Sequence, residues 1–254
     1  MVKHKVEKFY DELSENYKKT HSDRFVDRIF EKIILEYLPK EKFSLLDAGG
    51  GIGRFSIDLS NRCKSIVITE ISRKMLNEAK KIAESKDVKN ITFYNESVAD
   101  MKNQPNEFFD VVLLMNGVLD YCEDHKKALS ETCRVLKKNG LVIGTVNNRL
   151  VYATTNILLE KKDPKRFLEM FKTGDYIKKF SIHDFTHDEL IKVLEGSFKV
   201  INILGPTNLL RKWEYENVVN ESNKDDLLKI QLEFSKKKEY VNNSTDFFFI
   251  AKKI

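Results

Sequence analysis

Nowhere in the 254 residues is there a run of about 18 apolar residues, so no segment reads as a membrane-spanning helix. Cysteine is scarce. Cys63, Cys122 and Cys133 form an odd set without C-x-x-C spacing, which speaks against a disulfide framework or a zinc site and suits a reducing compartment. The opening stretch MVKHKVEKFYDELSENY has neither the apolar core nor the small-residue cleavage site of a signal peptide, and a cytoplasmic protein is expected. A dense basic tract interleaved with aromatics is also missing. The net charge of +5 is spread over a chain that is 33% charged, so nucleic acid is permitted as a partner but not indicated. The most basic short run, KKKEY near Lys236, reads as a solvated helix face.

What is present is an alternation. Residues 5–38 carry Phe9, Leu13 and Tyr17, then Phe25, Ile29 and Ile33, at helical spacing, with Pro39 closing the second helix. FSLLDA reads as a buried strand ending at Asp47, with a helix from about Arg54 to Asn61 behind the glycines, and SIVITE as a second strand ending at Glu70. A helix capped by Ser72 follows, then strands in NITFYNES, FFDVVLLMN and LVIGTVN, the last two separated by a helix that should stop at Asn139-Gly140. Short connections between alternating strands and helices predict a parallel sheet covered on both faces. The rhythm breaks at 149–180, which predicts two short helices inserted as a cap over a site at the strand ends. It resumes with the capping box Thr186-x-x-Glu189, a sixth strand in FKVINILG and a seventh, DFFFIAKKI, able to pair antiparallel beside the sixth. One domain over 1–254 is expected, with N-terminal helices in 1–40 and the cap within it.

The stretch LLDAGGGIGR places Gly49, Gly50, Gly51 and Gly53 directly after the first strand. In open parallel sheets ligands bind beyond the carboxyl ends of the strands, near the point where strand order reverses. A dinucleotide loop requires G-x-G-x-x-G, which fails here because the sixth position from Gly49 is Arg54; the GK[ST] of a phosphate loop is absent too. An acid, Asp47, stands just before the glycines. It suits a cationic ligand and would repel a pyrophosphate, and S-adenosylmethionine (SAM) carries a sulfonium, an ammonium and no phosphate.

Together these segments resemble a class I SAM-dependent methyltransferase of the ubiquinone/menaquinone-type branch and its small-molecule relatives. The likeness covers residues 40–150 strongly: LLDAGGGIG, ITEIS, SVADMKNQP, FFDVVLLMNGVLDY and ALSETCRVLKKNGLVIGTV each match a family region, although Lys138-Asn139 replaces the usual proline-glycine before Gly140. The resemblance implies a Rossmann-like, doubly wound α/β fold: a seven-stranded, mostly parallel sheet with an antiparallel C-terminal strand. It implies SAM as cofactor and S-adenosylhomocysteine as product. Asp47 is then expected near the methionine ammonium, and Gly49, Gly51 and Gly53 against the ribose and methionine portion. Glu70 would accept both ribose hydroxyls, Asp100 the adenine amino group, and the Met101 amide would give to a ring nitrogen. The Asn116 carbonyl would meet the ammonium. Ile71 reads either as a wall of the cofactor site or as a packing residue, and Tyr10 and Tyr17 either close over the cofactor or pack in the core.

For the acceptor, candidates are Asp120 and Tyr121 after the fourth strand, Tyr152 and Tyr176 in the cap, and His183 and His187 before the capping box. His183 is the expected substrate-facing base, since a histidine near neutral pKa suits deprotonation of a phenol or amine. No metal is expected. The leading reading is methyl transfer to O or N of a small molecule. A tRNA-modifying methyltransferase is one alternative, because LDAGGG also resembles the loop of a wobble-uridine carboxyl methyltransferase. A SAM-binding protein without transferase activity is the other.

Overall fold

The run Phe247-Phe248-Phe249-Ile250-Ala251 has no polar face, and only a strand buried on both sides can hide it. It does so inside a seven-stranded sheet. The computed structural model describes residues 2–21, 25–177, 181–211 and 214–254; within these, the side chains of residues 2–4, 15–21, 176, 177, 181 and 216 lie outside the description. The strands are β1 (Phe43–Ala48), β2 (Cys63–Thr69), β3 (Ile91–Tyr94), β4 (Phe109–Leu114), β5 (Leu136–Asn147), a separate two-stranded hairpin of β6 (Asp175–Ile177) and β7 (Ser181–His183), then β8 (Phe198–Leu204) and β9 (Asp246–Lys253). The main sheet has the order β3-β2-β1-β4-β5-β9-β8. Its first five strands run parallel, and β9 inserts antiparallel between β5 and β8.

Alternate residues of each strand feed two apolar layers. Leu45, Val111, Leu113, Phe248 and Ile250 face one layer, closed by α2 (Phe25–Tyr37) and α3 (Arg73–Ser85). Leu46, Val112, Leu114, Phe247 and Phe249 face the other, closed by α5 (His125–Val135) and α8 (His187–Leu194). The remaining helices are α1 (Val2–His21), α4 (Val118–Tyr121), α6 (Arg149–Ala153), α7 (Pro164–Thr173), α9 (Tyr215–Val218) and α10 (Lys224–Ser235). Ser72 caps α3 by accepting from the Met75 amide, and Thr186 caps α8 by accepting from the Glu189 amide.

Three details differ from the sequence expectation. Residues 51–59 wind as turns instead of a regular helix: after one i→i−4 bond, Ile57 to Gly53, the amides of Leu59, Ser60 and Arg62 reach back only three residues. The helix before β5 stops at Val135, and β5 starts at Leu136 through a register shift, with Asn139 left-handed at φ 66°. The segment after β5 is α6, a π-helical stretch Thr154–Leu159, α7 and the β6–β7 hairpin, with a small core of its own in Ala153, Ile157 and Met170.

Candidate active site

Strand order reverses between β1 and β4, and a cavity of about 600 Å³ opens beyond the carboxyl ends of the strands there. The glycine loop forms one wall. Gly49, Gly51 and Gly53 all have left-handed backbones, at φ +72°, +57° and +74°, a region closed to most side chains. The amides of Gly49 and Gly50 both donate to the Thr69 carbonyl, at 2.8 and 3.1 Å, which ties the loop to the end of β2. Gly50 is bare for a different reason: a Cβ there would stand 2.6 Å from the Asp47 carboxyl carbon, which curls beneath the loop.

Two buried carboxylates flank this loop. Asp47 accepts from the Ser56 hydroxyl at 2.6 Å, and burial pushes its pKa up to about 6. Glu70 accepts from the Gly51 amide through one oxygen at 3.1 Å and from the Ser72 amide through the other at 2.8 Å. Burial raises its pKa to about 7 despite those bonds, and the neighbouring charge of Asp47 adds to the rise. The Ser72 hydroxyl donates to Asp11 at 2.5 Å, so the same corner holds α1 down, and Val6 and Tyr10 of that helix line the cavity opposite the loop.

Asp47, Gly49, Gly51, Glu70, Ile71, Asp100 and Asn116 all line the cavity. Gly53 does not: a Cβ there would lie 2.7 Å from Ile57 and 2.8 Å from Ile68, so its bareness serves packing between the loop and β2. Met101 is fully buried and is not a lining residue, and its amide already donates to Glu131 at 2.9 Å. The expected donor to a ring nitrogen is therefore engaged within the protein. Tyr17 and Tyr176 fall among the side chains outside the description.

His183 is also away from the cavity. Its Nδ1 lies 2.7 Å from Asp175 and its Nε2 3.0 Å from Glu189, so both ring nitrogens face carboxylates and neither is open to an acceptor. Burial acts to lower its pKa, but the bonds to Glu189 and Asp175 outweigh it and the net shift is upward. A group raised in the folded state contributes stability below its unfolded pKa and loses it as pH rises through the folded value. His183→Ala is thus expected to cost more melting temperature at pH 6 than at pH 8, with cofactor affinity unchanged by calorimetry. A reduced affinity would put His183 back in the site. Nor does the inserted segment wall the cavity: no described residue of 149–177 lines it.

Lining groups that went unassigned in the sequence include Arg54 and Glu96, whereas Tyr121 was among the acceptor candidates. Arg54 lines the cavity and pairs with Asp27 of α2. Glu96 accepts from the Asn103 amide and from the side chains of Asn103 and Gln104, each at 2.7 Å, fixing the loop that presents Asp100. Tyr121 lines the cavity, its ring edge-on to Tyr10 at 6.4 Å, and burial raises its pKa well above that of a free phenol. It therefore stays protonated and cannot serve as a base at neutral pH. Among the described residues no group of three or more His, Cys, Asp or Glu could hold a metal ion.

Residues 45–140 match the family model described as a methyltransferase domain. Residues 45–140 form a methyltransferase domain. An uncharacterized protein of Methanocaldococcus jannaschii is 33% identical over 143 residues, covering 56% of this chain and 52% of the relative. The tRNA 5-carboxymethoxyuridine methyltransferase of Escherichia coli is 28% identical over 113 residues, 44% of this chain and 42% of the relative. The chain thus spans about half the length of these curated relatives. Among solved structures, a SAM-dependent methyltransferase of Thermotoga maritima, described as a possible histamine N-methyltransferase, superposes with a TM-score of 0.64 over 99% of both chains at 19% identity. At that identity the likeness concerns the fold.

The cavity suits SAM, a methyl donor, on its own geometry. A Cβ at Gly51 would meet nothing within 4 Å, so that backbone faces open volume. Asp47 and Glu70 bring acceptors for a cation and for hydroxyls to the same wall. Both carboxylates have raised pKa values, so in the empty protein their contribution to stability is present at acid pH and lost as pH rises through about 6 and 7. A cationic ligand favours their ionised forms. The rise in melting temperature on adding SAM should therefore grow from pH 5.5 to pH 7.5; a shift that is flat with pH would mean that neither carboxylate senses the ligand.

Proposed function

We propose that the protein transfers a methyl group from SAM to O or N of a small-molecule acceptor, and that it does so in the cytoplasm. The observation that carries this reading is the pairing of an open glycine wall with Glu70, whose two oxygens are aimed by the Gly51 and Ser72 amides. The cofactor supplies its own activated methyl on the sulfonium. What remains for the chain is to bind, orient and exclude water, and holding two partners in line is worth about 7–11 kcal/mol. In this reading Glu70 holds the ribose hydroxyls and Asp47 faces the methionine ammonium. Asp100 and Ile71 border the adenine, Asn116 turns the chain beneath the methionine, and Gly49 and Gly51 let the backbone approach. Residues 1–254 act as one domain with 149–180 inserted. Val6, Tyr10 and Tyr121 cover the reacting end and keep water out.

Asp47 and Glu70, the lining carboxylates with pKa values raised toward neutrality, are engaged by the cofactor in this reading and do not take a proton from the acceptor. His183 is turned to its carboxylates, and the Tyr121 phenol and the Cys122 thiol are both raised by burial. The acceptor then brings a nucleophile that needs no protein base. One observation favours a second reading, methylation of tRNA: the 28% identity over 113 residues to a tRNA methyltransferase. Incubation with methyl-labelled SAM and a deproteinised cell extract, then with total tRNA, separates the two. Label in small molecules supports the first reading and label in tRNA the second. Tight SAM binding with label in neither fraction would make the protein a cofactor-binding protein without transferase activity.

A further inference from the structure

Exposed apolar side chains scattered singly over a surface need no explanation. Here four of them fall within residues 150–171: Leu150 at 45% exposure, Leu159 at 65%, Leu168 at 55% and Phe171 at 38%. The segment leaves β5 at its carboxyl end, the end of the sheet that carries the cavity, yet no described residue of 149–177 lines that cavity. Its described side chains contribute nothing to the two main apolar layers either and include a small core of their own.

The outward face of α7 is ordered. At about 100° per residue, Pro164, Leu168 and Phe171 fall within about 60° of one another, while Met170 points inward and is buried. Lys165 and Lys172 border this stripe, displaced from Leu168 by about 40–60°. Lys161 and Lys162 follow Leu159 in the turn leading to α7. All four lysines are exposed, and among the described residues none of them forms an ion pair. Of the acids nearby, Asp163 is occupied in capping α7 through the Arg166 amide, while Glu160 and Glu169 are exposed, Glu169 standing about 100° from Leu168 around the helix.

We propose that residues 149–173 dock the protein on an anionic phospholipid surface, the stripe of Leu168 and Phe171 entering the headgroup boundary with Leu159 while the lysines meet lipid phosphates. An apolar stripe edged by basic residues is the pattern that lies in a membrane interface, and each lysine near an anionic surface adds about 1 kcal/mol of attraction. Charge decides between occupants. A second copy of this chain, seated on the same face by a two-fold axis, would set lysines against lysines, and a nucleic acid would leave the leucines and the phenylalanine without a partner. Among the described residues no helix is long and apolar enough to cross a membrane, so the attachment is peripheral. It holds the cavity end of the sheet toward the bilayer.

The test is co-sedimentation of the full chain with vesicles of phosphatidylcholine alone and of phosphatidylcholine mixed with phosphatidylglycerol, at low and moderate salt. Pelleting is expected with the mixed vesicles only. Leu168→Ser with Phe171→Ser should abolish it at either salt, and Lys165→Glu with Lys172→Glu should weaken it about five-fold or more per charge, most strongly at low salt. Circular dichroism and SAM calorimetry check that each variant is folded. Absence of pelleting with the mixed vesicles would overturn the proposal, as would equal pelleting of folded variants. So would a dimer in light scattering that the Leu168→Ser and Phe171→Ser pair abolishes, since the face would then belong to a second copy.

Discussion

Replacing Gly51 by valine is expected to weaken SAM binding on the order of 10- to 100-fold, since forcing extra methyl groups into occupied volume costs about 1–3 kcal/mol. The protein itself leaves room for the change, because a Cβ at Gly51 meets no atom within 4 Å. The volume it takes is the one that the proposed function gives to SAM. Its backbone, at φ +57°, also strains a β-branched residue by roughly 1–3 kcal/mol, so some melting temperature is lost as well. Gly51→Ala adds less bulk and a strain of about 1–2 kcal/mol, and should give a smaller loss of affinity with the sheet intact. Gly53→Ala is the contrasting control. Its Cβ would lie within 3 Å of Ile57 and Ile68, so the damage should appear in the melt, with the folded fraction still binding SAM. Calorimetry on the three variants beside thermal melts reads this contrast. Full affinity in folded Gly51→Val would place the ligand elsewhere.

Glu70→Ala should raise the Kd for SAM by a similar factor, through a different physical cause. A hydrogen bond to a charged group is worth about 1.5–3 kcal/mol, and Glu70 makes two such bonds to the loop and to the start of α3 before any ligand arrives. Removing it strips the Gly51 and Ser72 amides of their acceptor and leaves the ribose hydroxyls without theirs. Glu70→Gln is the sharper variant. Its amide keeps one accepting oxygen but turns an NH₂ toward one of the two backbone donors, so part of the loss should persist at unchanged shape. Both variants should also drop the component of the pH dependence near pH 7, leaving the Asp47 component near pH 6. An unchanged Kd together with an unchanged pH profile would reduce Glu70 to a loop-bracing residue.

The strand–helix alternation was legible because it is local. β1, β2, β4 and β9 stand out as apolar runs whose alternate residues feed two layers, and a period of two survives in any window of a few residues. That Glu70 and the glycine loop meet at one wall was legible for a related reason: loop and strand end lie within one β-turn-β unit, where spacing along the chain maps onto spacing in the structure. The failures share an opposite cause. The Met101 amide is engaged by Glu131, thirty positions on. His183 is held by Asp175 and by Glu189, the latter on the following helix. Tyr10, which the sequence left between covering the cofactor and packing in the core, lines the cavity because Asp11 of the same helix reaches Ser72.

By itself, then, the order of residues determined the class of sheet, the place of the cavity and the acid that borders it, all consequences of periodicity and of short-range geometry. Only the tertiary structure decided which polar groups remain available to a ligand and which are already satisfied by the protein. That question turns on hydrogen-bond partners drawn from distant parts of the chain, and a buried donor takes whichever acceptor the packing brings within 3 Å.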